Sequence, residues 1–177
     1  PLKGRILDAG CGYGFMSYML YFTSSKRHIT GIDYDEEKII TANHCFSKTA
    51  DINFIHADIL GFAFENYDSI ILSDMLHYLK SEEQEIIIKR AVDHLNPGGS
   101  VIIREGNKDA MLKHKRTELT EFFSTRLVMF NKTAGNGLSF LSGKKIRDIA
   151  NEMNMTCSET IDSEYTSNTI FVLKKQS

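Results

Sequence analysis

Short apolar runs alternate with longer amphipathic stretches through the first 105 residues of the chain. Arg5 to Ala9 (RILDA) has the length of a buried strand, whereas Phe15 to Phe22 (FMSYMLYF) is too long and too rich in methionine for another and predicts a helix. His28 to Asp33 (HITGID) predicts a second strand. Asp35 to Phe46 (DEEKIITANHCF) has acids in its first turn, where the helix dipole favours negative charge, and spaces Ile39, Ala42 and Phe46 along one face, so it predicts a helix. Strands follow at Ile52 to Asp58 and Asp68 to Asp74. Ser81 to Gln84 (SEEQ) reads as a capping box opening a helix that buries Ile88, Ala91, Val92 and Leu95. Asn96 to Gly99 (NPGG) is a turn that releases the strand SVIIRE. Strict alternation of this kind argues a mostly parallel sheet covered on both faces.

Beyond Glu105 the pattern loosens into a polar helical stretch from Asp109 to Phe123, a glycine-containing loop from Ala134 to Leu138, a helix capped by Ser142, and a last strand TIFVLKK ending at Lys175. A length of 177 residues, 42% of them hydrophobic, fits one domain spanning residues 1–177. A formal net charge of −2 supplies no basic field for a phosphate backbone, so nucleic acid is not expected as a partner. Cys11, Cys45 and Cys157 are isolated and lack metal-ligand spacing, so no metal is expected and a reducing compartment suits them. No apolar run approaches the roughly 18 residues of a membrane span and no signal peptide opens the chain, which together set a cytoplasmic expectation. Nothing in the sequence speaks to oligomeric state. The start at Pro1, a few residues ahead of the first apolar run, reads as an excised piece lacking an upstream N-terminal segment.

The chemistry concentrates at RILDAGCGYGF. Glycine after a strand lets backbone approach a ligand closely at the carboxyl end of an open α/β sheet. The dinucleotide fingerprint G-x-G-x-x-G is not met, because Phe15 stands where its third glycine belongs, and no Gly-Lys-Ser/Thr follows to make a phosphate loop. Asp8, closing the strand, would repel a pyrophosphate and attract an ammonium or sulfonium group.

These residues resemble motif I of the class I S-adenosylmethionine-dependent methyltransferases, an acid followed by G-x-G-x-G after the first strand. The resemblance runs from Leu2 through Glu105 and more loosely to the end. It implies a Rossmann-like, doubly wound, mostly parallel seven-stranded sheet with helices on both faces and an antiparallel last strand. It implies S-adenosylmethionine as cofactor and an unidentified small-molecule acceptor. It places Asp8, Ala9, Gly10, Cys11, Gly12 and Gly14 at the cofactor, Asp33 on the ribose hydroxyls, Tyr34 on the adenine face, Asp58 and Ile59 at the adenine edge, and Ser73 and Asp74 by the methionine part. Cys11 is a small buried filler on its side-chain chemistry, since no activating neighbour stands near it.

His77, just after the fourth strand, is the candidate catalytic residue: histidine ordinarily titrates near neutrality and can take a proton from an acceptor hydroxyl or amine. A structural histidine packed within MLHYL is the equal alternative. Tyr13, Phe15, Tyr18 and Tyr78 are aromatic candidates for the pocket wall, where a cation over a ring gains about 0.5–2 kcal/mol. The segment Gly106 to Leu141 is expected to cap the acceptor side. Lys113 to Arg116 (KHKR) reads as a wet helix face. Two other functions share the pattern: a non-catalytic S-adenosylmethionine-binding module of a larger protein, and a nicotinamide oxidoreductase. A nucleic-acid methyltransferase is weakened because SDML lacks the Asn/Asp-Pro-Pro-Tyr/Phe pattern of amino-methylating relatives.

Overall fold

Runs of β-branched residues bounded by turns become the strands, and amphipathic stretches become the helices that cover them. The computed structural model describes residues 4–24, 26–106, 139–161 and 168–175. The order is β1 (Gly4–Ala9), α1 (Phe15–Thr23), β2 (Arg27–Asp33), α2 (Glu36–Asn43), β3 (Ile52–His56), β4 (Tyr67–Ser73), a 3-10 turn (Leu76–Tyr78), α3 (Ser81–Asp93), β5 (Leu95–Gly106), α4 (Gly143–Glu152), β6 (Met155–Ile161) and β7 (Asn168–Lys175). The seven strands lie in the order β3-β2-β1-β4-β5-β7-β6. β1 to β5 are parallel, and β7 runs antiparallel to both β5 and β6. The sheet is the doubly wound, mostly parallel one expected, with an antiparallel last strand. The strand order reverses between β1 and β4, which opens a crevice beyond their carboxyl ends.

Strand alternation divides the core into two layers. Ile6, Ile29, Ile52, Phe54 and Ile71 pack with Tyr18, Ile39 and Ala42 of α1 and α2. Leu7, Ile70, Leu72, Val101, Ile103, Phe171 and Leu173 pack with α3 and α4 through Ile87, Ile88, Ala91, Ile146 and Ile149. Consecutive residues such as Ile6 and Leu7 serve opposite layers, which explains why these strands read as continuous apolar runs.

Helix starts follow local chemistry. The Ser142 hydroxyl accepts from the Lys145 amide at 3.1 Å, as the sequence anticipates, and Asp35, expected within the first turn of α2, is instead its N-cap, the carboxylate accepting from the Glu37 and Lys38 amides. α3 begins one residue earlier than the expected box: Lys80 is the N-cap, and its amide donates to the Glu83 carboxylate at 2.9 Å. Gln84 is released from capping and buried, its amide bridging the Leu79 and Ser139 carbonyls at 2.8 and 2.7 Å. α2 stops at Asn43, and Phe46 is 99% exposed rather than on its buried face. β5 pairs from Leu95 onward, so Leu95 belongs to the strand rather than to α3, and NPGG is an irregularity within it. β6 carries no sequence signal of its own: only Met155 of its seven residues is buried, as fits an edge strand. The stretch 109–123, the loop 134–138, residues 113–116 and Pro1 lie outside the described residues. Among the described residues no helix is long and apolar enough to cross a membrane.

The entry to α1 is the tightest joint between turn and core. Gly14 is the N-cap at φ 77°, in the left-handed region, and a Cβ there would lie 2.7 Å from Phe54 Cε1 and 3.3 Å from Ala42 Cβ. Gly14→Ala should therefore lose about 2–4 kcal/mol of stability, combining left-handed strain with overpacking. Gly12→Ala, at φ 54° with nothing within 4 Å of the added carbon, should lose only about 1–2 kcal/mol. Urea denaturation of the two variants measures the difference.

Candidate cofactor and acceptor site

The turn after β1 is built by three glycines at positive φ, Gly10 (73°), Gly12 (54°) and Gly14 (77°). The Gly10 and Cys11 amides both donate to the Ile32 carbonyl, at 2.8 and 2.9 Å. Each glycine has its own reason. A Cβ on Gly10 would meet Met75 Cβ at 2.7 Å, one on Gly14 would strike Phe54, and one on Gly12 would enter open space. Backbone thus faces an opening at the β1/β4 reversal, the geometry that a closely approaching ligand requires.

Asp33, at the end of β2, ties two turns together: one carboxylate oxygen accepts from the Gly12 amide at 2.7 Å and the other from the Asp35 amide at 2.8 Å. Asp8 is 2% exposed and accepts from the Ser17 hydroxyl at 2.6 Å. Burial pushes its carboxyl up to about 6, opposed by the Ser17 hydrogen bond and reinforced by the neighbouring Asp33 charge. Its side chain thus lies beneath the turn, facing Ser17 rather than the opening. Ala9 is fully buried, so only its backbone reaches the turn. Burial, with Asp8 and Asp33 nearby, holds the Cys11 thiol far above its usual range, which keeps it an unreactive packing group.

The rim continues along β2 and β3. Tyr34 exposes 65% of its surface and stands edge-on to His56, whose Nε2 lies 2.9 Å from the Tyr34 carbonyl. Asp58 is exposed, with Oδ1 accepting from the Leu60 amide at 2.9 Å, while the Ile59 side chain is buried in the core. Among the aromatic candidates, Tyr13 and Phe15 are exposed on either side of Gly14, Tyr18 is buried, and Tyr78 packs on His77 with ring centroids 4.2 Å apart. Tyr13, Phe15 and Tyr18 line a groove of about 580 Å³ with Ile40, Thr41, His44 and Cys45, running outward between α1 and α2.

On the other side of the reversal, the turn after β4 meets the end of β5. His77 is 3% exposed, its Nδ1 lies 2.7 Å from Glu105 Oε2, and its Nε2 is buried without a hydrogen-bond partner. Glu105, itself 5% exposed, accepts from the Leu76 amide through its other oxygen at 2.7 Å. Phe140 stacks on the His77 ring at 5.3 Å, and the Ser139 amide donates to the His77 carbonyl at 3.0 Å. Residues 107–138 of the expected cap lie outside the described residues. Ser73 donates to Asp74 at 3.2 Å, and Asp74 pairs with Arg104. Sequence reasoning missed Ser17, Arg104 and Glu105. A charge pair closing an otherwise apolar strand was the signal for the last two, and a serine inside an apolar helix for the first. Among the described residues no group of His, Cys, Asp or Glu could hold a metal ion.

A family model described as a methyltransferase domain matches residues 6–99, and the chain belongs to that family. Its architecture is that of the class I S-adenosylmethionine-dependent methyltransferases. The carboxy-S-adenosyl-L-methionine synthase of Aeromonas hydrophila is 30% identical over 108 residues, covering 58% of this chain and 43% of that protein. The ribosomal RNA small subunit methyltransferase C of Erwinia tasmaniensis is 32% identical over 111 residues, covering 58% and 31%. The chain thus spans less than half the length of these relatives. Among solved structures, an O-methyltransferase family protein from Burkholderia thailandensis aligns with TM-score 0.77 at 17% identity, over 98% of this chain and 51% of that one. The N-methyltransferase NodS from Bradyrhizobium japonicum, solved with S-adenosyl-L-homocysteine, aligns with TM-score 0.68 at 16% identity, over 99% and 79%.

Asp8 gives this site a measurable pH dependence. A carboxyl raised to about 6 in the fold keeps its proton at pH values where the unfolded chain, near 3.8, has lost it. Protons therefore favour the folded state between those limits, and this group's contribution is complete below about pH 4 and lost as pH rises through about 6. Asp8→Asn should flatten that slope and raise stability at pH 7 by about 1–3 kcal/mol, read from denaturation midpoints between pH 4 and 8.

Proposed function

We propose that this chain is the cofactor-binding and methyl-transferring domain of an S-adenosylmethionine-dependent methyltransferase acting on an oxygen or nitrogen of a small-molecule acceptor. The observation that carries this reading is the glycine turn: three left-handed glycines, open space above Gly12, and the Asp33 carboxylate already hydrogen-bonded to the Gly12 amide. The turn is held by the chain's own hydrogen bonds, from the Gly10 and Cys11 amides to the Ile32 carbonyl and from the Gly12 amide to Asp33. The formal charge of −2 favours a small acceptor over the RNA for which one relative is named.

In this reading the carboxylate of Asp33 holds the ribose hydroxyls with lone pairs beyond those given to Gly12 and Asp35. The exposed Tyr34 ring covers the adenine face, Asp58 meets the adenine edge, and the backbones of Ala9 to Gly12, with Gly14, shape the wall. Asp8 acts from below, fixing the start of α1 through Ser17. Ile59 contributes backbone, its side chain being committed to the core. Ser73 and Asp74 line the methionine side. S-adenosylmethionine, when bound, supplies an electrophilic methyl group on sulfur. What the chain adds is alignment, exclusion of water and a place for the acceptor's proton.

His77 takes that proton. With Nδ1 donating to Glu105, Nε2 is the lone-pair nitrogen, and it is a buried acceptor without a partner that an acceptor hydroxyl or amine would satisfy. Glu105 holds the tautomer and offsets the charge that forms on the ring.

S-adenosylhomocysteine at millimolar concentration should raise the melting temperature, since a ligand bound only by the folded state adds RT ln(1 + [L]/Kd). Asp33→Ala should weaken its binding by about 1.5–3 kcal/mol in calorimetry. His77→Ala should leave that affinity intact while lowering turnover about 10²–10⁴-fold, followed as S-adenosylhomocysteine release against a panel of phenols, amines and an RNA fragment. Absence of any thermal shift would defeat the reading. Turnover of the RNA fragment alone would reassign the acceptor.

A further inference from the structure

The corner between the turn after β4 and the end of β5 holds a second charged pair that proton transfer does not use. Adjacent residues on a strand face opposite sides of the sheet. Glu105 takes His77 on one side, and Arg104 takes Asp74 on the other. The first pair is buried, whereas Arg104 exposes 30% of its side chain and Asp74 43%, so the second is the more open of the two at the ligand end. The guanidinium is also oriented from β7: the Asn168 amide oxygen, in the orientation that satisfies the side chain, accepts from Nη1 and Nη2 at 3.2 and 3.0 Å. Asp74 is held just as firmly, its amide donating to the Arg104 carbonyl at 2.9 Å and its backbone turned to φ 52°. Among the described non-glycine residues only Asn154 shares that left-handed conformation. Such strain persists where the surroundings over-determine it, and it collects at ligand clamps.

Resting on the methyl-transfer reading above, we propose that Arg104 recognises a carboxylate on the methyl acceptor, which makes the substrate a small organic acid methylated at a separate oxygen or nitrogen. Asp74 occupies the guanidinium until substrate arrives, an internal stand-in for the ligand's own carboxylate. The planar fork of arginine matches a carboxylate two bonds at a time, so exchange of one carboxylate for another preserves its geometry. Asp33 and Asp58 line the opposite part of the rim and repel an anion there. The acceptor's acid group is therefore directed to β5, leaving the rest of the molecule to reach toward His77 and the glycine turn.

Benzoate and its neutral isostere benzamide serve as probes of the full chain, read by the Arg104 Nε–H resonance, which is assigned by its loss in Arg104→Lys. Titrations are run with and without S-adenosylhomocysteine. The cofactor product tests the methyl-transfer reading alone, and the benzoate response stays measurable if that reading fails. Benzoate should shift the resonance and benzamide should not. Arg104→Lys, followed through backbone amides, should weaken benzoate by about tenfold, since charge remains and the fork is lost. Asp74→Asn, which removes the internal competitor, should tighten it by about fivefold. Equal responses to the two probes, tighter binding of inorganic phosphate than of benzoate, or an unchanged affinity in both variants would overturn the proposal.

Discussion

One carbonyl organises the ligand end of this domain. Ile32, near the end of β2, accepts both the Gly10 and Cys11 amides, which draws the backbone leaving β1 sideways across the top of the sheet. Only residues tolerant of positive φ can follow that path, and glycine stands at each such step of the turn. Asp33 then fastens the same turn from the next residue, through the Gly12 amide. Neighbouring positions on one strand, a carbonyl and a carboxylate, fix the loop that follows β1. The buried Asp8–Ser17 contact supports it from below at a cost, because a carboxylate there is desolvated.

Much of this was legible in the sequence. Asp8 and Asp33 fall at the ends of β1 and β2, and the three glycines and Asp58 in the turns that follow β1 and β3, because short apolar runs terminate there in polar residues or glycine. The mostly parallel sheet followed from strand–helix alternation, and its seven strands with an antiparallel last one from the family likeness; the order of the strands is a finding of the structure. β6 escaped because an edge strand with one buried residue shows neither alternation nor an apolar run. The one-residue offset of the α3 cap escaped because a serine followed by glutamates supports two registers, and the choice between them is made by tertiary contacts: Gln84 is pulled into the interior by the Leu79 and Ser139 carbonyls. Phe46 was misplaced for the opposite reason, since helical spacing continued beyond the point where the helix ends.

Polar residues with two plausible environments are where pattern reasoning runs out. His77 could be assigned by sequence to catalysis or to packing with equal warrant, and the structure shows why. It is buried and ring-stacked like a core histidine, yet one nitrogen is bound to a carboxylate and the other has no partner. Arg104 and Glu105 look like the frayed end of a strand when read linearly. Only the pleat reveals that they serve two different sides.

The irregularity at Asn96 to Gly99 bears on how such a domain can vary. Between the Tyr67–Leu95 and Ser69–Ser100 pairings, β4 advances two residues while β5 advances five. The extra length bulges out with Gly98 at φ 73°, at the end of the sheet remote from the ligand, and regular pairing is restored before Arg104 and Glu105. A change of one residue within the strand proper would exchange the faces of those two charges and dissolve both of their pairs. The same change within the bulge can be absorbed locally. Descendants of this sequence are thus free to gain or lose length at NPGG while the spacing from Ser100 to Glu105 stays locked, so relatives should differ in length before that point and agree after it.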